Sequence, residues 1–160
     1  MRRRELLLGA AALLAAPATA SAAPTEGAIL LDLIRREQQA KLAYGAAMET
    51  LGSGGPLELV KIRGHEADHA DALATELAAV GLPRPLRPEL TGAAAELAGA
   101  RDRAGVLAAA VRFEDELVGA YGKALAGLPD AKIAMTAATI LASHSQHRLI
   151  LRLAAGQAEG

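Results

Sequence analysis

Two segments far apart in this chain read as versions of one another. EQQAKLAYGAA begins at Glu37 and EDELVGAYGKA begins at Glu114. Glu, then Tyr seven residues on, then Gly, then Ala, recur at an offset of 114 − 37 = 77. A second pair accompanies them: Glu66 with His69 and His144 with His147, each i and i+3, at an offset of 144 − 66 = 78. Matched offsets in two motifs are the mark of an internal repeat, whose units bury against each other faces that neither can bury alone. The chain is therefore expected to fold as two similar halves.

Each half reads as a pair of helices. Apolar residues recur at steps of three and four, the period of a helix that buries one face. From about Thr25 to Thr50 that face carries Leu30, Leu33, Ile34, Tyr44 and Met48; up to about Val80 it carries Leu59, Ile62, Leu73, Leu77 and Val80. A third helix is predicted from about Ala93 to Leu128, bent near Gly105. A fourth follows the N-cap candidate Asp130 and runs to about Ala155, with Ile133, Ala137, Ile140, Leu151 and Ala154 facing inward. Composition supports the same class. Apolar residues make up 52% of the chain but aromatics only 2%, and Ala and Leu, the strongest helix formers, supply most of the difference.

The connections constrain topology. LGSGGP and GLPD are short turns, and a short turn between helices makes a hairpin. GLPRPLRPELTG, residues 81–92, holds three prolines that forbid a helix. Extended at about 3.1 Å per residue it reaches roughly 37 Å. That matches a helix of twenty-odd residues, about 30–38 Å long. The crossover can thus start the second hairpin at the opposite end from where the first one stops. The expected fold is all-α, an antiparallel four-helix bundle of two hairpins joined by one long Pro-rich crossover.

The first residues stand apart from this pattern. MRRRELLLGAAALLAAPATASAAP has a positive start, a short Leu/Ala-rich middle and the A-x-A triplet Ala20-Ser21-Ala22, so residues 1–22 read as an export signal cut after Ala22. Arg2-Arg3-Arg4 ahead of Leu6-Leu7-Leu8 is similar to a twin-arginine signal, with the general secretory route as the alternative. The expected domain is then residues 23–160, placed outside the cytoplasm, with no stable membrane span after cleavage. Removing residues 1–22 takes away three Arg and one Glu, so the charge goes from −1 to −1 − 2 = −3. That balance, without a basic stripe, gives no footprint for nucleic acid. Without Cys there is no disulfide or thiolate chemistry.

Polar residues interrupt every inner stripe near its middle. Glu37 lies between Ile34 and Ala40, Glu66 and His69 between Ile62 and Leu73, Glu114 between Ala110 and Leu117, and His144 and His147 between Ile140 and Leu151. A lone buried carboxylate costs several kcal/mol or takes up a proton. Three carboxylates and three imidazoles brought together escape that cost around a cation, and oxygen and imidazole donors without thiolate suit iron or manganese, with zinc a competitor.

One Glu from each of two helices with Glu-x-x-His from the other two is the ligand pattern of ferritin-like dinuclear carboxylate proteins. The chain resembles that superfamily from about Thr25 to Ala155, and more narrowly its small exported domains of unassigned function. The resemblance implies Glu37, Glu66, His69, Glu114 and His147 as metal ligands. The sixth position departs, with His144 where the superfamily has Glu. Two ions, one ion, or none with the groups hydrogen-bonded or ion-paired, all remain open, as do iron and manganese. So do a metal-dependent oxidoreductase handling peroxide and a non-enzymatic structural or ligand-binding bundle that has lost its metal. A homo-oligomer is compatible with either, and the small-molecule substrate is not legible.

Other residues take blander readings. Tyr44 and Tyr121, about 10.5 Å along the axis from Glu37 and Glu114, are expected as core tyrosines bonded through their hydroxyls rather than as redox groups. His65 points about 100° away from Glu66 and is expected to face solvent, although it pairs at i, i+4 with His69. Asp68, Asp71, Asp115 and Glu116 form a hydrated face, together with Arg35, Arg36, Arg148 and Arg152. An Arg paired to Glu37 is the alternative in a metal-free core.

Overall fold

The computed structural model describes residues 24–156, so the expected export signal at residues 1–22 lies outside the described residues. Five α-helices and no strands are found among the described residues: α1 (Glu26–Leu51), α2 (Leu57–Ala79), α3 (Gly92–Gly99), α4 (Arg103–Leu125) and α5 (Ala131–Ala154). Each long helix begins where a side chain or a proline can start it. Thr25 Oγ1 accepts from Ala28 N at 3.3 Å, and Pro56 precedes α2. Asp130 Oδ1 accepts from Lys132 N at 2.8 Å and Ile133 N at 3.0 Å. Gly52 closes α1 at φ 54° and ψ −141°, a positive-φ conformation that glycine takes without strain.

The expected third helix is divided. The chain is extended at Ala100 (φ −63°, ψ 142°), and Asp102 starts a new helix by accepting from Gly105 N at 2.8 Å. Gly99 is a poor helix former, and an Asp that captures a backbone N–H three residues on favours a helix start over a helix interior. The interruption thus falls at residues 100–102 rather than as a bend near Gly105, and α4 stops at Leu125. Val80, placed on the inner stripe by periodicity, is 41% exposed because α2 has ended before it.

Crossover contacts show the route of the chain. The Leu82 side chain packs on Gly27, so closely that a Cβ there would lie 2.4 Å from Leu82 Cδ1. Gln38 Nε2 donates to Pro85 O at 3.4 Å, and Gln39 Nε2 to Glu89 O at 2.6 Å. Residues 82–89 therefore track along α1 in its own direction and deliver α3 against the later part of α1. The Asp130 N–H donates to Glu26 Oε2 at 3.2 Å, and Lys132 Nζ pairs with Glu76 Oε2 at 2.8 Å. The starts of α1 and α5 thus meet the end of α2.

Buried side chains form two apolar clusters. One holds Leu30, Leu33, Ile34, Leu73, Leu77, Tyr121, Ile133 and Ile140; the other holds Tyr44, Leu59, Ile62, Leu97, Leu107, Phe113, Leu117 and Leu151. On α1, α2 and α5 the chain changes cluster at Glu37, at Glu66 and between Ile140 and Leu151. The polar residues thus form a layer between two greasy ends. Among the described residues no helix is long and apolar enough to cross a membrane.

Candidate metal centre

Helical spacing aims one or two polar side chains from each long helix into that layer, and the turns and crossover bring the four levels together. Glu37, Glu66, Glu114 and His144 are fully buried, and His147 is nearly so. His69 is half-buried at their edge.

His144 lies at the middle. Its Nε2 is 3.0 Å from Glu37 Oε1 and its Nδ1 is 2.9 Å from Glu114 Oε2. Glu66 Oε1 stands 3.1 Å from His147 Nδ1, and His69 Nδ1 stands 3.4 Å from Glu37 Oε2 and 3.7 Å from Glu66 Oε2. The partner beside Glu37 is therefore an imidazole and not an arginine. Arg36 pairs instead with Asp32, and Arg148 and Arg152 with Asp115, all on the hydrated surface.

Two phenols complete the shell. Tyr121 OH donates to Glu37 Oε1 and Tyr44 OH to Glu114 Oε1, each at 2.5 Å. The core, hydrogen-bonded reading of both tyrosines matches this geometry. Burial and the carboxylate each meets raise both hydroxyls well above the ordinary phenol range, so both stay protonated donors.

The charges follow from burial and neighbours. Burial pushes Glu37 up, but the hydrogen bond with His144 and the neighbouring imidazole of His69 outweigh it and hold the carboxyl well below the usual carboxylate range. Glu114 is lowered in the same way, with His144 and His147 overcoming burial. Glu66 goes the other way: burial, then the charge of Glu37, raise it to about 7. For the imidazoles burial opposes charging and the carboxylates win. His144 rises to about 11 through Glu114 and Glu37, and His69 to about 9 through Glu37 and Glu66.

Two further residues join the layer that periodicity had placed elsewhere or passed over. His65 is exposed, as expected, yet its Nδ1 lies 2.9 Å from His147 Nε2, and Ser143 Oγ lies 3.2 Å from the same nitrogen. Burial and the charge of His147 lower His65 while His147 is raised, so the shared proton is assigned to His147. The i, i+4 spacings His65/His69 and Ser143/His147 were the available signals. Which of them matters depends on α2 and α5 being neighbours.

Could these residues hold an ion? Two groups have ligand atoms that all lie within 4.8 Å of one another: Glu37, Glu66, His69 and His144, and Glu66, Glu114, His144 and His147. Several buried ligand-type atoms also have no hydrogen-bond partner among the described residues: Glu37 Oε2, both oxygens of Glu66, His69 Nδ1 and His147 Nδ1. Buried polar atoms are rarely left without partners, and carboxylate and imidazole atoms gathered in one layer suit a hard or borderline divalent ion. The donor set fits a metal. A surface cavity of about 450 Å³ between α1 and α4, lined by residues such as Leu33, Arg36 and Lys123, includes none of the six central residues.

A sequence model of the ferritin-like domain matches residues 56–157. The chain belongs to the ferritin-like domain family. That match covers the helices bearing Glu66, His69, Glu114, His144 and His147, and begins after the one bearing Glu37. The ferritin-like fold is shared with the crystal structure of a conserved hypothetical protein, rv2844, from Mycobacterium tuberculosis, at a TM-score of 0.73 and 17% identity over 84% of this chain and 93% of the other. No curated protein matches this ferritin-like chain.

Proposed function

We propose that this protein is an exported ferritin-like domain whose central layer binds iron or manganese through Glu37, Glu66, His69, Glu114, His144 and His147, and which works in redox or peroxide handling outside the cytoplasm. One observation carries the metal reading: Glu37 Oε2, both oxygens of Glu66, His69 Nδ1 and His147 Nδ1 lie buried in a single layer, within ion-pair distance of one another yet without a hydrogen bond among the described residues. A bound iron or manganese ion would supply one-electron chemistry toward a small oxidant. The protein's own part is to hold the donors in place. Tyr121 and Tyr44 orient the carboxylates of Glu37 and Glu114, His65 and Ser143 orient His147, and apolar clusters close the layer above and below. The export part of the reading is supported by the Arg2-Arg3-Arg4 start and the Ala20-Ser21-Ala22 triplet.

A second reading is favoured by His144, which bonds to both Glu37 and Glu114 and can neutralise them without a metal. It makes the protein a non-enzymatic bundle with a buried ion-paired core. The two readings separate on metal content: express the chain with iron and with manganese, purify the mature form, and count metal by mass spectrometry. Less than about a tenth of an ion per chain under both conditions would leave the second reading standing. A mature chain starting at Ala23 is the outcome expected for export.

A further inference from the structure

The six residues of the layer are not equally free. Glu114 has both oxygens engaged, Oε1 by Tyr44 and Oε2 by His144. His144 has both ring nitrogens engaged, one by Glu114 and one by Glu37. Carboxylates only accept, so an imidazole placed between two of them donates from both nitrogens and has no lone pair left for a metal. Glu37 differs from its repeat counterpart Glu114. Its Oε1 takes Tyr121 and His144, while Oε2 is unpartnered and faces His69 Nδ1, also unpartnered, at 3.4 Å. Glu66 Oε2, unpartnered too, lies 3.7 Å from that same nitrogen.

One side of the layer is thus built from three residues that each present an open donor atom. On the other side only Glu66 Oε1 and His147 Nδ1 are open, and the carboxylate that would complete the set is closed by Tyr44 and His144. The repeat is symmetrical in sequence at Glu37/Glu114 and Tyr44/Tyr121, and loses its symmetry at Glu66/His144.

We propose that the centre holds one divalent transition-metal ion per chain, on the side formed by Glu37, Glu66 and His69, and that His144, bonded across Glu37 and Glu114, stands where a second ion would otherwise be held. This rests on the metal-binding reading above and narrows its six ligands to three, holding one ion, with His144 and Glu114 bonded to each other instead of to metal.

The test is a count with a spectroscopic check. Load the purified full-length chain with Mn(II), remove loosely bound ions by gel filtration, measure manganese per chain, and record the EPR spectrum. One ion per chain, with the six-line signal of isolated Mn(II), is expected. Two ions per chain, or a spectrum from a magnetically coupled pair, overturns the one-ion inference and leaves metal binding standing. No bound ion overturns both. His144→Glu should raise the count toward two and introduce the coupled spectrum. A folded His144→Glu protein that still holds one ion would show that His144 is not what excludes the second. If that variant does not fold, the wild-type count and spectrum decide alone.

Discussion

Tyr121, on α4, donates its hydroxyl proton to Glu37, on α1, at 2.5 Å. Tyr44 on α1 returns the same bond to Glu114 on α4. In sequence each tyrosine follows its own glutamate by seven residues; in the fold each serves the glutamate of the other half. The repeat therefore produces a reciprocal pair of bonds that lock the two hairpins in one register.

Removing either hydroxyl leaves a buried carboxylate short of a donor. Hydrogen bonds to charged groups contribute about 1.5–3 kcal/mol, so Tyr121→Phe and Tyr44→Phe should each lose about that much in denaturant unfolding with a chelator present. The two losses should be similar, because the two bonds are equivalent in length and burial. A loss below about 0.5 kcal/mol for both would show that the phenols do not stabilise the carboxylates.

The sign of the pH dependence follows from the central groups. His144 and His69, raised to about 11 and about 9, contribute stability that is complete below their ordinary value of 6.5 and lost as pH climbs through the raised values. Glu66, raised to about 7, adds a loss that begins above its ordinary 4.5, because its neutral form is the one the fold favours. Glu37 and Glu114 are lowered, so their contribution is present above 4.5 and disappears only as pH falls through their depressed values. The chelated protein should accordingly melt highest in mild acid and progressively lower from pH 6 to pH 9. Glu66→Gln, which removes the group titrating near 7, should flatten that fall. A wild-type melting temperature that rises over the same range would contradict these charge states.

Metal should oppose protons at the same atoms. His69, and His147 too in the six-ligand arrangement, must give up protons to become ligands, so apparent affinity should strengthen between pH 6 and pH 8.5, with protons released on binding. Calorimetry in two buffers of different ionisation enthalpy measures that release directly. Binding that is indifferent to pH would place the ion away from these imidazoles.

Much of this arrangement was readable because helical periodicity is a local property. Glu37, Glu66, Glu114 and His147 interrupt apolar stripes at mid-length, and the prolines of residues 81–92 permit a crossover long enough to level them. What could not be read depends on which helices become neighbours. The exchange of tyrosines between halves, and the reach of exposed His65 to His147, are set by α1 facing α4 and α2 facing α5. The break before α4 escaped for another reason. Ala-rich sequence favours continuing the helix, and the Asp102 cap outweighs it only because α3 can then turn Ala93, Ala94 and Leu97 into the core.

That cap can be tested alone. Asp102→Ala removes the acceptor for Gly105 N, and loss of such a cap costs about 0.5–2 kcal/mol. Asp102 is exposed and stands 114 − 102 = 12 residues, about 18 Å along α4, from Glu114, so the substitution should lower stability without changing metal content.

His65 offers the converse case. It is exposed, so His65→Ala should leave thermal stability within a few degrees. Its Nδ1 nonetheless accepts the His147 proton at 2.9 Å, which holds His147 Nδ1 toward Glu66. Partners that orient a ligating histidine typically change metal affinity by about 10–100-fold when removed. His65→Ala should therefore weaken binding by roughly that factor if His147 touches the ion, and His65→Gln, whose side-chain oxygen can accept the same proton, should restore part of it. In the one-ion arrangement on Glu37, Glu66 and His69 the effect passes only through Glu66, and the loss should fall at the lower end, about 10-fold. Competition with a metallochromic indicator reads the difference. Unchanged affinity in His65→Ala would mean that His147 is held by Ser143 alone or takes no part in binding.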